Sequence, residues 1–135
     1  MTGVRNTIAG AVAGTVILLM APALTAQFKD VQLASRALTD ADLTKYVVVL
    51  TEVTKARKGI PSISSPAGMT ALREATSKAA DTQGWASGDY SVVGARMTVA
   101  EQHVKMEKNV PVPESKKADV DLFKRWQQKI AAARK

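Results

Sequence analysis

Hydrophobic residues fall along this chain in five blocks, and the first is unlike the others. From Thr7 to Ala26 the sequence reads TIAGAVAGTVILLMAPALTA, with no charged residue and with Arg5 just before it. Beyond Gln27 the apolar residues come three or four apart with polar residues between them, which is the spacing of amphipathic helices.

The second block begins at Thr39. Thr39 is a good N-cap, Asp40 and Asp42 put negative charge on the first turn, and Leu38 with Leu43 has the spacing of a hydrophobic staple. Leu43, Tyr46, Val47, Leu50 and Val53 then share a face. Lys55, Arg57 and Lys58 suit a helix carboxyl end, and Gly59 and Pro61 stop it. The run Val47-Val48-Val49 is β-prone, which makes a strand the alternative, but cap, staple and stop signals agree on a helix.

Ser65 as cap with Pro66 at the first helical position opens a second helix. Its expected inward stripe is Met69, Leu72, Ala75, Thr76 and Ala79, and Gly84 ends it. Trp85 lies in the turn. Ser87 is the expected cap of a third helix, with Asp89 in its first turn and Tyr90, Val93, Met97, Ala100 and Val104 on its buried face. Gly94 sits mid-helix at a cost of about 1 kcal/mol against alanine; a tight crossing on the second helix would account for it, and so would tolerance. Glu101 and Lys105 have i,i+4 spacing.

Two prolines, Pro111 and Pro113, break the pattern. A last helix is expected from about Glu114 to Arg134, with Val120, Phe123, Trp126 (or Gln127) and Ile130 on its apolar face. Phe28, Val31, Leu33 and Leu38, in a lead-in over 27–38, either begin a short helix or lie along the body of the domain. The reading is therefore all-α: a small four-helix up-and-down bundle, or two packed helical hairpins, over 39–135. It follows the lead-in and an N-terminal hydrophobic signal or anchor helix in 1–26.

The first block has the three parts of an export signal: a positive start, an apolar middle from Ile8 to Met20, and a helix-breaking Pro22 before small residues. Cleavage after Ala26 would leave Gln27 as the new first residue, and Ala21-Pro22-Ala23 offers a second site. The competing reading is a retained anchor. Twenty uncharged residues are about enough to cross a bilayer core. Gly10 and Gly14, with Val16 and Leu18, would present a GxxxG-type packing face to another membrane helix. Either way the Arg5 side stays in the cytoplasm and the chain beyond Ala26 lies outside it.

Composition narrows the function classes. There is no cysteine, so neither disulfide framework nor thiol chemistry is available. The net charge is +7, or +6 without Arg5, the one charge before Gln27. On an exported protein that excess suits anionic lipid, an acidic protein surface or cell-wall polymer rather than nucleic acid; a merely solvated face is the plainer reading.

The residues give little chemistry. His103 is the one histidine, which rules out HExxH and histidine-pair metal sites. His103 and Met106 share a face near Met97, a thin basis for a soft metal site. Asp40 with Asp42, and Asp119 with Asp121, stand two apart at helix starts and read as helix-dipole partners. No glycine-rich phosphate loop is present. No catalytic, cofactor or metal residues are assigned, and no enzyme is expected. Tyr90 and Phe123 read as core. Trp126, among Lys124, Arg125 and Lys129, is the best candidate for a partner or lipid surface; ordinary bundle packing is the alternative.

The segments LTDADLTKYVVVL and GWASGDYSVVGAR resemble small uncharacterised exported helical proteins of bacteria. The resemblance implies an exported helical domain and carries over no activity and no site residues. The function expected is that of a non-catalytic accessory or scaffold subunit, acting by protein contact at the outer face of the cytoplasmic membrane. With a retained anchor, a respiratory or photosynthetic complex is the setting expected. The alternative is a soluble periplasmic bundle binding a small ligand or metal near Tyr46, Met69, Tyr90 and Met97.

Overall fold

A computed structural model describes residues 27–135. Within them lie four α-helices and no strand: α1 (Asp40–Lys58), α2 (Pro66–Thr82), α3 (Ser87–Met106) and α4 (Lys117–Ala133). Two 3-10 turns, Val31–Ala34 and Glu114–Lys116, precede α1 and α4. The described chain is a small helical bundle, and none of its helices is long and apolar enough to cross a membrane. The expectations for Gly10, Gly14, Val16, Leu18 and the cut after Ala26 lie outside the described residues.

Local sequence accounts for the helix ends. The Thr39 hydroxyl accepts from the Asp42 N–H, and the Asp42 carboxylate accepts from the Thr39 N–H at 2.8 Å, a reciprocal capping box. Ser65 accepts from the Gly68 N–H at 3.0 Å, with Pro66 at the first position of α2. Gly84 takes φ +72°, the left-handed region that only glycine enters without strain, and this turns the chain from α2 toward Trp85.

Two boundaries differ from expectation. Ser87 is already helical; the residue before α3 is Ala86, whose N–H is held by the Asp89 carboxylate at 2.8 Å. The last helix starts at Lys117 because Glu114–Lys116 winds as a 3-10 turn after Pro113.

One core runs through the bundle. Leu43, Val49, Val93, Met97 and Ile130 are fully buried, joined by Tyr46, Trp85, Val120 and Phe123. α2 contributes least, with Ala79 and Ala80 its buried apolar residues. Met69 does not face inward as expected but is half exposed, because the first turn of α2 seats buried Gly68 against the Ser62 carbonyl instead. Gly94 faces the Tyr46 ring of α1, not α2, and that ring stacks on Tyr90 with centroids 5.5 Å apart.

Helix α4 crosses α3 rather than lying along it. Asp119 and Arg134, about 22 Å apart along α4, reach Arg96 and Glu101, which are only about 7.5 Å apart on α3. Glu101 therefore spends its charge on Arg134 at 3.1 Å and not on Lys105.

Candidate functional site

The lead-in lies on the domain and is locked there. Leu33 is fully buried in the core, whereas Val31 is exposed. Burying a leucine contributes about 2 kcal/mol, and three polar clamps add direction to that contact.

The first clamp is Asp89. This fully buried carboxylate accepts from the backbone N–H groups of Lys29 at 2.9 Å, Asp30 at 3.1 Å and Ala86 at 2.8 Å. It thus ties the start of the lead-in to the start of α3. Gly88 is next to it, and a Cβ there would run into the Gln27 carbonyl and come within 2.8 Å of the Phe28 ring.

The second clamp is Arg36. Its guanidinium donates to Asp30 at 2.9 Å and to both oxygens of Asp42, at 2.8 and 2.9 Å. The hydrogen bonds that Arg36 donates to Asp42 and then to Asp30 push its pKa further above the ordinary value. Burial alone would push Asp42 up, but the bonds from Arg36 and Thr39 outweigh it and hold this carboxyl below the usual range.

The third clamp is Arg96 on α3. It pairs with Asp119 of α4 and also donates to the carbonyls of Leu33 and Arg36. Asp119 is therefore more than a partner of its own helix dipole: it is the buried anion that fixes Arg96.

Asp89 was expected only as a first-turn charge, and Arg36 and Arg96 carried no expectation. The available signal was chemical: each arginine can fork onto a carboxylate as lysine cannot, and Asp89 sits where a carboxylate reaches back over a helix start. What was missing was distance, since Asp89 meets Lys29 sixty residues away.

The residues expected to form a partner surface are divided. Around Asp40, the Trp126 indole N–H donates at 2.7 Å, Arg125 approaches at 3.4 Å and Lys129 lies over the Trp126 ring at 4.5 Å. The Trp126 hydrogen bond, followed by Arg125, holds the Asp40 carboxyl below its ordinary value. Lys124 turns elsewhere, to Glu107 at 2.8 Å. Trp126 packs partly against the core while its polar edge meets the surface.

His103, Met97 and Met106 do not converge: Met97 is fully buried and Met106 is exposed. Among the described residues no group of three or more His, Cys, Asp or Glu side chains could hold a metal ion. Tyr46, Tyr90 and Met97 fill the core near one another while Met69 stands outside it. The open grooves lie elsewhere. One of about 350 Å³ lies between α3 and α4 over Phe123 and Arg134, and one of about 650 Å³ lies between α1 and α2 over Val48 and Ala75.

No protein-family model matches this chain, and neither a curated protein nor a solved structure matches it.

Proposed function

We propose that the protein is a non-catalytic exported helical subunit that works by contact at the outer face of the cytoplasmic membrane. Residues 7–26 serve as its export signal or anchor. The observation that carries this reading is the clamped lead-in. Asp89 holds Lys29 and Asp30 on the first turn of α3, so whatever precedes Gln27 joins the domain at a fixed point. A subunit that must hold a set orientation beside a membrane needs such a junction; a domain on a loose tether does not.

In the retained form, Gly10, Gly14, Val16 and Leu18 pack on a helix of a membrane complex of the respiratory or photosynthetic kind. The Trp126 corner, with Arg125 and Lys129, then meets either a protein neighbour or anionic headgroups. The decisive experiment is the intact mass of the protein taken from membranes of its own host. A mass beginning at Met1 or Thr2, with co-purification of a complex lost on Gly10→Leu and Gly14→Leu, supports the anchored subunit. Co-purification unchanged by those substitutions sinks the packing face. A mass beginning at Gln27 with no co-purifying protein sinks the membrane subunit altogether and turns attention to a free periplasmic binder.

A further inference from the structure

The bond that export processing would cut adjoins the docked lead-in. Hydrolysis after Ala26 adds one water across the Ala26–Gln27 amide, leaving a carboxyl on Ala26 and an amine on Gln27. An endopeptidase holds its substrate as an extended strand, through main-chain N–H and C=O groups on both sides of that bond. Beyond the cut those groups belong to Gln27, Phe28 and Lys29, and then to Asp30.

In the folded domain this stretch of backbone is held. The Gln27 carbonyl and the Phe28 ring lie where a Cβ of residue 88 would stand, an approach that glycine permits. The next two N–H groups, of Lys29 and Asp30, donate to the fully buried Asp89 at 2.9 and 3.1 Å. The Lys29 ammonium meets Asp81 at 3.1 Å, an exposed pair that adds little. Further on, Asp30 accepts from Arg36 at 2.9 Å and Leu33 enters the core. The side chains of Gln27 and Lys29 are exposed, but a peptidase needs their main chain. Burial and hydrogen bonding of the backbone decide whether a bond can be cut.

With residues 7–26 read as an export signal, on which this rests, we infer that the folded domain guards the Ala26–Gln27 bond against a membrane-bound signal peptidase. Docking of the lead-in, and not the residues around Ala26 alone, then decides whether the chain stays anchored. Docking and cutting exclude each other, because the peptidase must lift Gln27 to Lys29 off α3 and so break their ties to Gly88 and Asp89. A chain cut before its domain forms is released. A chain that folds first keeps residues 1–26, and its cutting follows the small population in which the lead-in is open. The guard is local. Gln27 is the first residue beyond a cut after Ala26 but the fourth beyond a cut after Ala23, so the Ala23–Leu24 bond is an internal reference.

The test treats full-length chains in detergent with a purified bacterial signal peptidase and reads the new amino termini by intact mass. Gly88→Val pushes Gln27 and Phe28 away, and Asp89→Asn weakens the hold on Lys29 and Asp30. Met97→Asp puts a charge at a fully buried core position and unfolds the bundle, leaving the bond unguarded. Met97→Asp should be cut after Ala26 at least about ten-fold faster than the parent chain. The two lead-in variants should be cut there at least about five-fold faster than the parent, with helical circular dichroism retained. Cutting after Ala23 should differ by less than about two-fold between the parent and these two variants. A parent chain cut after Ala26 as fast as Met97→Asp overturns the guard and leaves the export reading standing. Folded lead-in variants cut no faster than the parent overturn it as well. No cut after Ala26 even in Met97→Asp sinks the processing site itself, and the guard with it.

Discussion

Arg96 holds Asp119 in a two-pronged pair, its Nε and Nη2 donating to the two carboxylate oxygens at 2.8 and 2.7 Å. The third nitrogen, Nη1, donates to the carbonyls of Leu33 and Arg36, both at 2.7 Å. One side chain thus joins α3, α4 and the lead-in, three parts of the chain that share no sequence neighbourhood. Removing it leaves a buried carboxylate and two backbone carbonyls without their donor.

Arg96→Leu should therefore destabilise the protein by about 3–5 kcal/mol, the usual cost of breaking a buried pair from one side. Chemical denaturation reads this directly. Arg96→Lys should recover only part of the loss, since an ammonium cannot fork onto Asp119 while also reaching Leu33 and Arg36. Full recovery by lysine would show that charge alone, and not the forked geometry, holds the three elements together.

Acid should loosen the lead-in. The Asp42 carboxyl is held below its ordinary value by Arg36 and Thr39 against the opposing effect of burial. A lowered native pKa contributes stability that is fully present above the unfolded carboxyl value of about 4. That contribution is lost as the pH falls through the lower native value. Stability measured from pH 6 downward should fall in that window, and Asp42→Asn should lower stability near neutrality while flattening this part of the profile. An unchanged profile in the variant would remove Asp42 from the acid response.

Alkali should act on the stacked tyrosines. Burial pushes the Tyr90 phenol up to about 12 and shifts Tyr46 in the same direction. Between about pH 10 and 12 the unfolded chain loses the Tyr90 proton while the native chain keeps it, and Tyr46 acts in the same direction, so stability falls as pH rises. Phenolate absorbance should show two tyrosines titrating late in the native protein and at the ordinary value after denaturation.

Gly94 separates helix propensity from packing. A Cβ there would meet the Tyr46 ring at 3.4 Å, which is ordinary contact. Gly94→Ala should be neutral or stabilising by up to about 1 kcal/mol. Gly94→Leu should destabilise by about 1–3 kcal/mol, because the larger side chain must displace the Tyr46–Tyr90 stack. Thermal melting of the two variants tests the sign of each.

Gly88 reports the junction itself. A Cβ at this position collides with the Gln27 carbonyl and the Phe28 ring, so Gly88→Val should lift the first residues of the lead-in while α3 remains helical. Limited proteolysis should then cut near Lys29 faster than in the parent chain, with little change in helical circular dichroism. Equal cutting rates would mean that Asp89 and Leu33 hold the segment without that close approach.

The chain's local chemistry determined most of the helical framework by itself. Thr39 with Asp42, Ser65 with Pro66, and Gly84 each act within a few residues, so the ends of α1 and α2 were legible. Periodicity was enough to place Tyr90, Val93 and Met97 on one face. Expectation and structure parted where a competing residue took the place that spacing offered to another. Ser87 offered a hydroxyl cap, but the buried carboxylate of Asp89 closed the helix start instead. Glu101 stood four residues from Lys105, but the crossing of α4 brought Arg134 closer. Met69 fitted the stripe of α2, but the seat of Gly68 on Ser62 turned it outward.

The lead-in shows the same division. Its composition supplied an aspartate, an arginine and a leucine with no period to arrange them. Only the packed structure brought Asp30 to Arg36, Leu33 into the core and Lys29 to Asp89, across separations of up to sixty residues. The partners of Arg96 and Glu101 were likewise decided by which elements pack beside α3. A sequence states which charges exist, but tertiary contacts decide which of them still face outward, because a buried ion pair forms only where two distant elements bring both its members out of water together.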